Sequence, residues 1–162
     1  MIVFRDLIFF TLTPDENLIH DSPVSFDLLR QHGVDMQNVK NMSFVNCNFD
    51  GLQLNELKNI SYFQEDGLIL SFCHAFDKKI ASRLGKAACV RVKNIKSLKT
   101  IIDQQLGVVS NASTFRYTKD HQRNHFLKSS EDSWQREYRL FWDLKEPQLV
   151  ALPPGVAEEV LL

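Results

Sequence analysis

Alternating polar and apolar residues predict a strand over residues 133–142, near the end of the chain. One face of this strand would carry Gln135, Glu137, Arg139 and Phe141, and the other face Trp134, Arg136, Tyr138, Leu140 and Trp142. Gln135 and Glu137 would then point the same way, about 7 Å apart along the strand. A carboxylate beside an amide on a rigid strand can bind a ribose and stabilise a developing positive charge. An exposed polar face on an edge strand is the structural alternative.

The same patterns predict further strands and a few helices along the rest of the chain. Strands are expected over 2–11, 41–49, 68–73, 87–92 and 108–117. Helices are expected after Ser22-Pro23, with Ser22 as the N-cap, over 75–84, and over 95–105 with Asn94 as the cap. Turns at Asp50-Gly51 and Glu65-Asp66-Gly67 separate strands, and the second would join 62–63 and 68–73 in a hairpin. This order, without a regular β-α-β alternation, predicts an α+β fold with a mostly antiparallel core.

Composition indicates an ordinary globular chain. Of its 162 residues, 44% are hydrophobic and 24% charged, with a net charge of −1, so one domain over 1–162 is the expectation. The near-neutral charge gives no indication of nucleic acid as a partner, and no apolar run is long enough for a membrane helix. Three widely spaced cysteines without a Cys-x-x-Cys pair indicate neither a disulfide framework nor a zinc site. Reduced thiols in a cytoplasmic protein are the simplest interpretation.

His121 and His125 lie four residues apart in a basic segment. On a helix they would share one face, where they could ligate a metal or act together in RNA cleavage. The Glu of a metalloprotease motif is missing between them, so no metal is predicted. A solvated basic loop that touches phosphates is the alternative.

Two short motifs carry a resemblance to a known family. The segments Leu70-Ser71-Phe72-Cys73 and Trp134-Gln135-Arg136-Glu137-Tyr138-Arg139, with Arg83-Leu84-Gly85-Lys86 between them, resemble a widespread bacterial domain of unknown function related to ADP-ribosyltransferases. The resemblance covers roughly residues 60–145.

The resemblance implies an ADP-ribosyltransferase-like fold, NAD as the cofactor and transfer of ADP-ribose to a macromolecular target in a bacterial toxin or defence context. It assigns Arg5 to the dinucleotide phosphates, Ser71 to the nicotinamide ribose, Glu137 to the catalytic carboxylate and Gln135 to the orientation of the acceptor.

A binding protein without catalysis is the second hypothesis. A small cytoplasmic immunity protein, or antitoxin, would neutralise a toxin partner through its surface. The acidic pairs Glu131-Asp132 and Glu158-Glu159 could face a basic toxin and accelerate its association.

Overall fold

The computed structural model describes residues 16–161. In chain order the elements are β1 (Leu18–His20), α1 (Phe26–Gln31), β2 (Val39–Phe49), β3 (Leu52–Gln64), β4 (Leu68–Cys73), α2 (Lys78–Arg83), β5 (Cys89–Val92), α3 (Ile95–Leu106), β6 (Asn111–Thr114), β7 (Arg116–Thr118), β8 (Leu127–Ser129), a 3-10 helix (Ser130–Gln135), β9 (Glu137–Trp142) and β10 (Ala157–Val160). Mostly antiparallel sheets with a few helices make this an α+β protein. Within the described range, no helix is long and apolar enough to cross a membrane.

The described residues fall into two compact units, named here unit 1 and unit 2. Unit 1 comprises residues 67–114 and 134–161, and unit 2 comprises residues 16–66 and 115–133. The predicted strand over 2–11, which includes Arg5, lies outside the described residues.

Unit 1 is built on the antiparallel sheet β4-β9-β6, with β5 and β10 forming a separate antiparallel ribbon. One face of the three-stranded sheet packs on α3, through a core formed by Leu68, Leu98, Ile102, Leu140, Trp142 and Val150. Helix α3 begins where the Asn94 side chain accepts from the backbone N–H groups of Lys96 and Ser97, and it ends at Gly107 in the left-handed conformation. The predicted Asn94 cap and its helix are therefore confirmed.

Unit 2 contains the antiparallel sheet β1-β3-β2 and the parallel pair β7-β8. Asp50 (φ 44°) and Gly51 (φ 87°) join β2 to β3, so the predicted turn is confirmed. The left-handed conformation of both residues matches the right-handed strand twist of a two-residue hairpin. The core of the unit consists of Phe26, Leu29, Met36, Phe44, Leu54 and Ile60.

Besides the start of β9, three sequence-based element predictions are wrong in detail. Strand β4 pairs with β9 rather than with residues 62–63, which belong to β3 and pair with β1 and β2. The predicted strand 108–117 divides at Phe115, so that β6 belongs to unit 1 and β7 to unit 2. Helix α1 is capped by Ser25 instead of Ser22. The Ser22 hydroxyl is instead hydrogen-bonded to the backbone of Val24 in a local turn.

Strand β9 begins later than the sequence predicts. Residues 130–135 form the 3-10 helix, and Arg136 has a φ of 46°. This left-handed residue lies outside the extended conformation of a strand, so the alternation starts only at Glu137. Trp134 and Gln135 consequently lie outside the strand to which the pattern assigned them.

Candidate functional site

The strand register of the unit 1 sheet brings two of the predicted site residues, Ser71 and Glu137, close together. Ser71 on β4 lies opposite Arg139 on β9, and Cys73 lies opposite Glu137. Because side chains alternate along a strand, these four residues share the sheet face turned away from α3. Ser113 on β6 lies opposite Arg139 from the other side and belongs to the same face. We call Ser71, Cys73, Ser113, Glu137 and Arg139 the polar face.

Arg139 links Ser71 to Glu137. Its Nε donates to Ser71 Oγ at 3.1 Å, and its Nη2 donates to Glu137 Oε1 at 3.0 Å. The side chains of Arg139 and Glu137 are 1% and 6% exposed, so this is a buried ion pair. Burial of such a pair is tolerated because each charge meets an opposite charge and hydrogen-bonding groups. The pair fixes the orientation of the Glu137 carboxylate.

The two residues of β4 on this face are accessible. Ser71 and Cys73 are both exposed, in contrast to Glu137 and Arg139. A hydroxyl group can accept one hydrogen bond and donate another, so Ser71 can hold Arg139 and still donate its proton to a ligand. Desolvation by the surrounding protein atoms raises the pKa of the Cys73 thiol, and the nearby charges of Glu137 and Cys89 raise it further. Cys73 is therefore a poor nucleophile at neutral pH.

The other two predicted site residues are not brought to this face by the described structure. Gln135 is the last residue of the 3-10 helix and is separated from β9 by Arg136, so the strand-based side-by-side arrangement with Glu137 is wrong. Arg5 lies outside the described residues, and its assignment to phosphate binding stays a prediction.

Sequence reasoning gave Arg139 no role, although it placed Arg139 on the face of Glu137. The signal was present, because Glu137 and Arg139 are two residues apart in an alternating strand. Their burial was not predictable from this spacing, since a charged face is usually solvated.

The two candidate histidines of unit 2 have separate partners. His121 Nε2 lies 2.8 Å from the Ser22 carbonyl oxygen and its Nδ1 lies 2.7 Å from Asp120 Oδ1. His125 is buried, with its Nε2 2.9 Å from Glu65 Oε2. Residues 121–125 are not helical, so the shared helix face is wrong, and this arrangement does not support paired catalysis on RNA.

A third histidine packs on this region of unit 2. The ring centroids of His20 and His121 are 4.6 Å apart, and Phe26 and Tyr62 pack edgewise on His20. Burial lowers the pKa of His20 to about 4, with a further lowering by the neighbouring His121. Within residues 16–161, no group of three or more His, Cys, Asp or Glu side chains is arranged to hold a metal ion.

Comparisons with protein-family models, with curated proteins and with solved structures found no match to this chain.

Proposed function

We propose that this chain binds NAD beside Ser71 and Glu137, on the part of the polar face formed by β4 and β9, and transfers ADP-ribose to a macromolecular target. The observation that carries the proposal is the adjacency of Ser71 and Glu137, which contact the same guanidinium group of Arg139. The family resemblance assigns Ser71 to the nicotinamide ribose and Glu137 to the catalytic carboxylate, and the two residues are 66 positions apart in the sequence. A bacterial toxin or defence context is part of the same proposal.

The proposed reaction requires a carboxylate held beside the ribose. Glu137 would accept a hydrogen bond from a ribose hydroxyl and stabilise the positive charge that develops as the C1′–N bond breaks. The bonding electron pair would leave with nicotinamide. The acceptor nucleophile would form the new bond to C1′ and lose its proton to a base or to solvent. Arg139 is a positioning residue, because it orients the carboxylate without touching the reacting atoms.

Ser71, which is exposed on β4, would hold the ribose through a hydrogen bond. Its hydroxyl accepts from Arg139 and can donate to the ligand. Loss of this hydroxyl is expected to weaken NAD binding, and loss of the Glu137 charge to slow transfer by about 100-fold or more, the usual effect of removing one stabilising group. Gln135 would orient the acceptor, and Arg5 would bind the phosphates.

The experiment is NAD titration by thermal shift and calorimetry on the wild type, Ser71→Ala and Ser113→Ala. Ser113 is the matched control, because it also lies opposite Arg139 but on β6. At 100 times the dissociation constant, bound NAD should add about 2.7 kcal/mol of stability. We expect Ser71→Ala to reduce this gain and Ser113→Ala to retain it. The proposed NAD site is contradicted if millimolar NAD does not raise the unfolding temperature of the wild type. It is also contradicted if Ser71→Ala and Ser113→Ala reduce the NAD-induced stability gain equally.

Transfer is tested with Glu137→Gln, which retains an oxygen acceptor for Arg139 and removes the negative charge. Labelled NAD is incubated with a lysate and with the purified protein, and labelled macromolecules are quantified. Wild-type labelling that persists in Glu137→Gln contradicts the catalytic role. Arg5→Ala in the same assays tests the proposed phosphate contact.

Binding and neutralisation of a toxin is the alternative proposal. The acidic excess of unit 2 favours it, since its described residues hold 11 Asp and Glu against 7 Lys and Arg. A basic partner would be attracted to such a surface. Glu158 suits this role less well than expected, because Arg91 and Lys93 already bind its carboxylate. A folded chain without NAD affinity that forms a stoichiometric complex with a basic toxin would support this alternative over transfer.

A further inference from the structure

Helix α2 and the segment before β9 form one exposed basic and aromatic surface in unit 1. We define this α2 surface as Phe76, Lys78, Lys79, Arg83, Trp134 and Arg136. The guanidinium carbon of Arg83 lies 3.9 Å from the centroid of the Trp134 ring. The backbone N–H of His74 donates to the Arg136 carbonyl oxygen at 3.0 Å. These two contacts bring the segments before and within α2 together with residues 134–136.

The charge of this surface is positive. The sequence from Lys78 to Ile102 contains eight lysines and arginines and no aspartate or glutamate. In the described part of the chain, no carboxylate lies within ion-pair distance of Lys78, Lys79 or Arg83. Asp77, the nearest acidic residue in sequence, accepts a hydrogen bond from the Lys79 backbone N–H at 2.8 Å, which commits one of its oxygens to capping α2.

The neighbouring basic residues of unit 1 differ from those of the α2 surface. Arg91 and Lys93 are paired with Glu158, and Lys99 is paired with Asp103. Lys79 and Arg83, four residues apart, share one side of α2. Lys78, Lys79 and Arg83 therefore differ from Arg91, Lys93 and Lys99, whose charges are neutralised by neighbouring carboxylates.

Aromatic rings lie among these cations. Phe76 precedes α2 and is 52% exposed, so its ring is accessible for stacking. Trp134 is partly exposed beneath the Arg83 guanidinium. A planar cation stacked on an indole adds a flat, polarisable layer on which a nucleobase can stack.

We infer that the α2 surface binds single-stranded nucleic acid. Phosphates of the strand would contact Lys78, Lys79 and Arg136, while unpaired bases would stack on Phe76 and on the Arg83–Trp134 pair. Cations that track the backbone, interleaved with aromatic platforms, are what sequence-tolerant single-strand binding requires. This function is separate from NAD binding and does not depend on it.

An acidic membrane is a less suitable occupant. A helix that lies on a membrane turns a continuous apolar face outward. Helix α2 has six residues and buries Ile80 in the unit, so its outward side is cationic.

The near-neutral net charge of the chain is the sum of two opposite contributions. The described residues of unit 1 include 11 basic and 7 acidic residues, and those of unit 2 include 7 basic and 11 acidic residues. The positive surface of unit 1 is therefore not visible in the net charge of the whole chain.

The test is fluorescence anisotropy of labelled 20-nucleotide oligo(U) and oligo(dT), titrated with the full chain at several salt concentrations. We expect binding to both strands, with a logarithmic salt slope of about −2 for three phosphate contacts. Lys79→Glu/Arg83→Glu should weaken binding about tenfold or more at low salt, because two attractive charges become repulsive. Phe76→Ala should weaken it with little change in the salt slope.

The matched control is Lys40→Glu/Lys58→Glu, which makes the same charge change on exposed residues of unit 2 and should leave affinity within about twofold. Circular dichroism establishes that each variant is folded, and Lys79→Gln/Arg83→Gln provides a milder second variant. The proposal is overturned by absence of oligonucleotide binding, by equal losses in the α2 and control variants, or by tighter binding to phosphatidylserine vesicles than to either strand. A preference for oligo(U) over oligo(dT), or the reverse, would identify the natural strand.

Discussion

The indole N–H of Trp142 on β9 donates a hydrogen bond to Asp103 Oδ1 on α3 at 2.8 Å. Asp103 also accepts from Lys99 Nζ and, at 3.0 Å, from the Ser110 backbone N–H. One carboxylate therefore connects the main helix of unit 1, the end of its following loop and the central strand of the sheet. Trp142 is fully buried, so its N–H needs a partner within the protein.

Asp103→Asn is expected to destabilise the protein by about 2 kcal/mol, since hydrogen bonds to a charged group contribute more than neutral ones. Urea unfolding at pH 7 measures this difference. Asp27→Asn is the control, because the Asp27 side chain is 84% exposed in a surface pair with Arg30 and should change stability by about 0.5 kcal/mol or less. Equal effects in the two variants would refute the connecting role of Asp103.

The effect of Asp103 should also depend on pH. Burial by itself would raise the pKa of this carboxyl, but hydrogen bonds from Lys99, Ser110 and Trp142 outweigh it, and the pKa lies below its usual value. Because the pKa is lower in the folded than in the unfolded chain, the stabilisation is present above about pH 4 and is lost as pH falls through the folded value. The difference in the free energy of unfolding between wild type and Asp103→Asn should therefore become smaller below about pH 4. A difference that stays constant down to pH 2 would argue against hydrogen bonds to a charged Asp103.

His20 should make unit 2 sensitive to mild acid. Its pKa is lowered to about 4 by burial and by His121, whereas an unfolded histidine titrates near about 6.5. Between these values the unfolded chain binds more protons, so stability falls as pH decreases from about 6.5 to 4, by about 3 kcal/mol in all.

His20→Phe removes this proton while keeping an aromatic ring in contact with Phe26 and Tyr62. Nε2 of His20 is buried without a hydrogen-bond partner, so the replacement breaks no bond at that atom. We expect the variant to gain stability relative to wild type as pH falls from 7 to 4.5, measured by thermal unfolding. His32→Gln, at a more exposed site, is the comparison, and a parallel pH profile for wild type and His20→Phe would contradict the prediction.

Removal of either member of the Glu137–Arg139 pair should cost about 3–5 kcal/mol, because the remaining charge stays buried. Chemical denaturation of Glu137→Ala, Arg139→Ala and the double variant would give the coupling free energy. We expect the double variant to be less destabilised than the sum of the single variants. Additive costs would mean that the two side chains do not depend on each other. Because Glu137→Gln keeps an oxygen acceptor for Arg139, it is better suited than Glu137→Ala to assays of function.

Gly67 is required for the start of β4. A Cβ atom at this position would clash with the Phe141 ring and lie 2.6 Å from the Trp142 carbonyl oxygen. Gly67→Ala should therefore destabilise the protein by about 3 kcal/mol through forced displacement of packed groups. Gly107→Ala meets no atom within 4 Å but requires a φ of +68°, so about 1 kcal/mol is expected. Thermal unfolding of the two variants compares crowding with backbone strain.

Local signals in the sequence were sufficient for several elements. Asn94 before a stretch with helical periodicity predicted the start of α3, and Asp50-Gly51 predicted the β2–β3 turn. Both features depend on a few neighbouring residues, because caps and two-residue turns are stabilised by local backbone hydrogen bonds. Polar and apolar alternation likewise predicted that Glu137 and Arg139 share a face.

Strand partners and burial were decided by tertiary structure. The sequence determined an α+β chain, the α3 helix and a polar strand face that includes Glu137. Nothing local indicated that β4 pairs with β9 or that Arg136 adopts a left-handed conformation before the strand begins. Strand pairing is a contact between distant segments, and its register placed Ser71 beside Arg139. Burial then converted an ordinary charged face into an ion pair, because the cost of removing charge from water arises only after the fold has excluded the water.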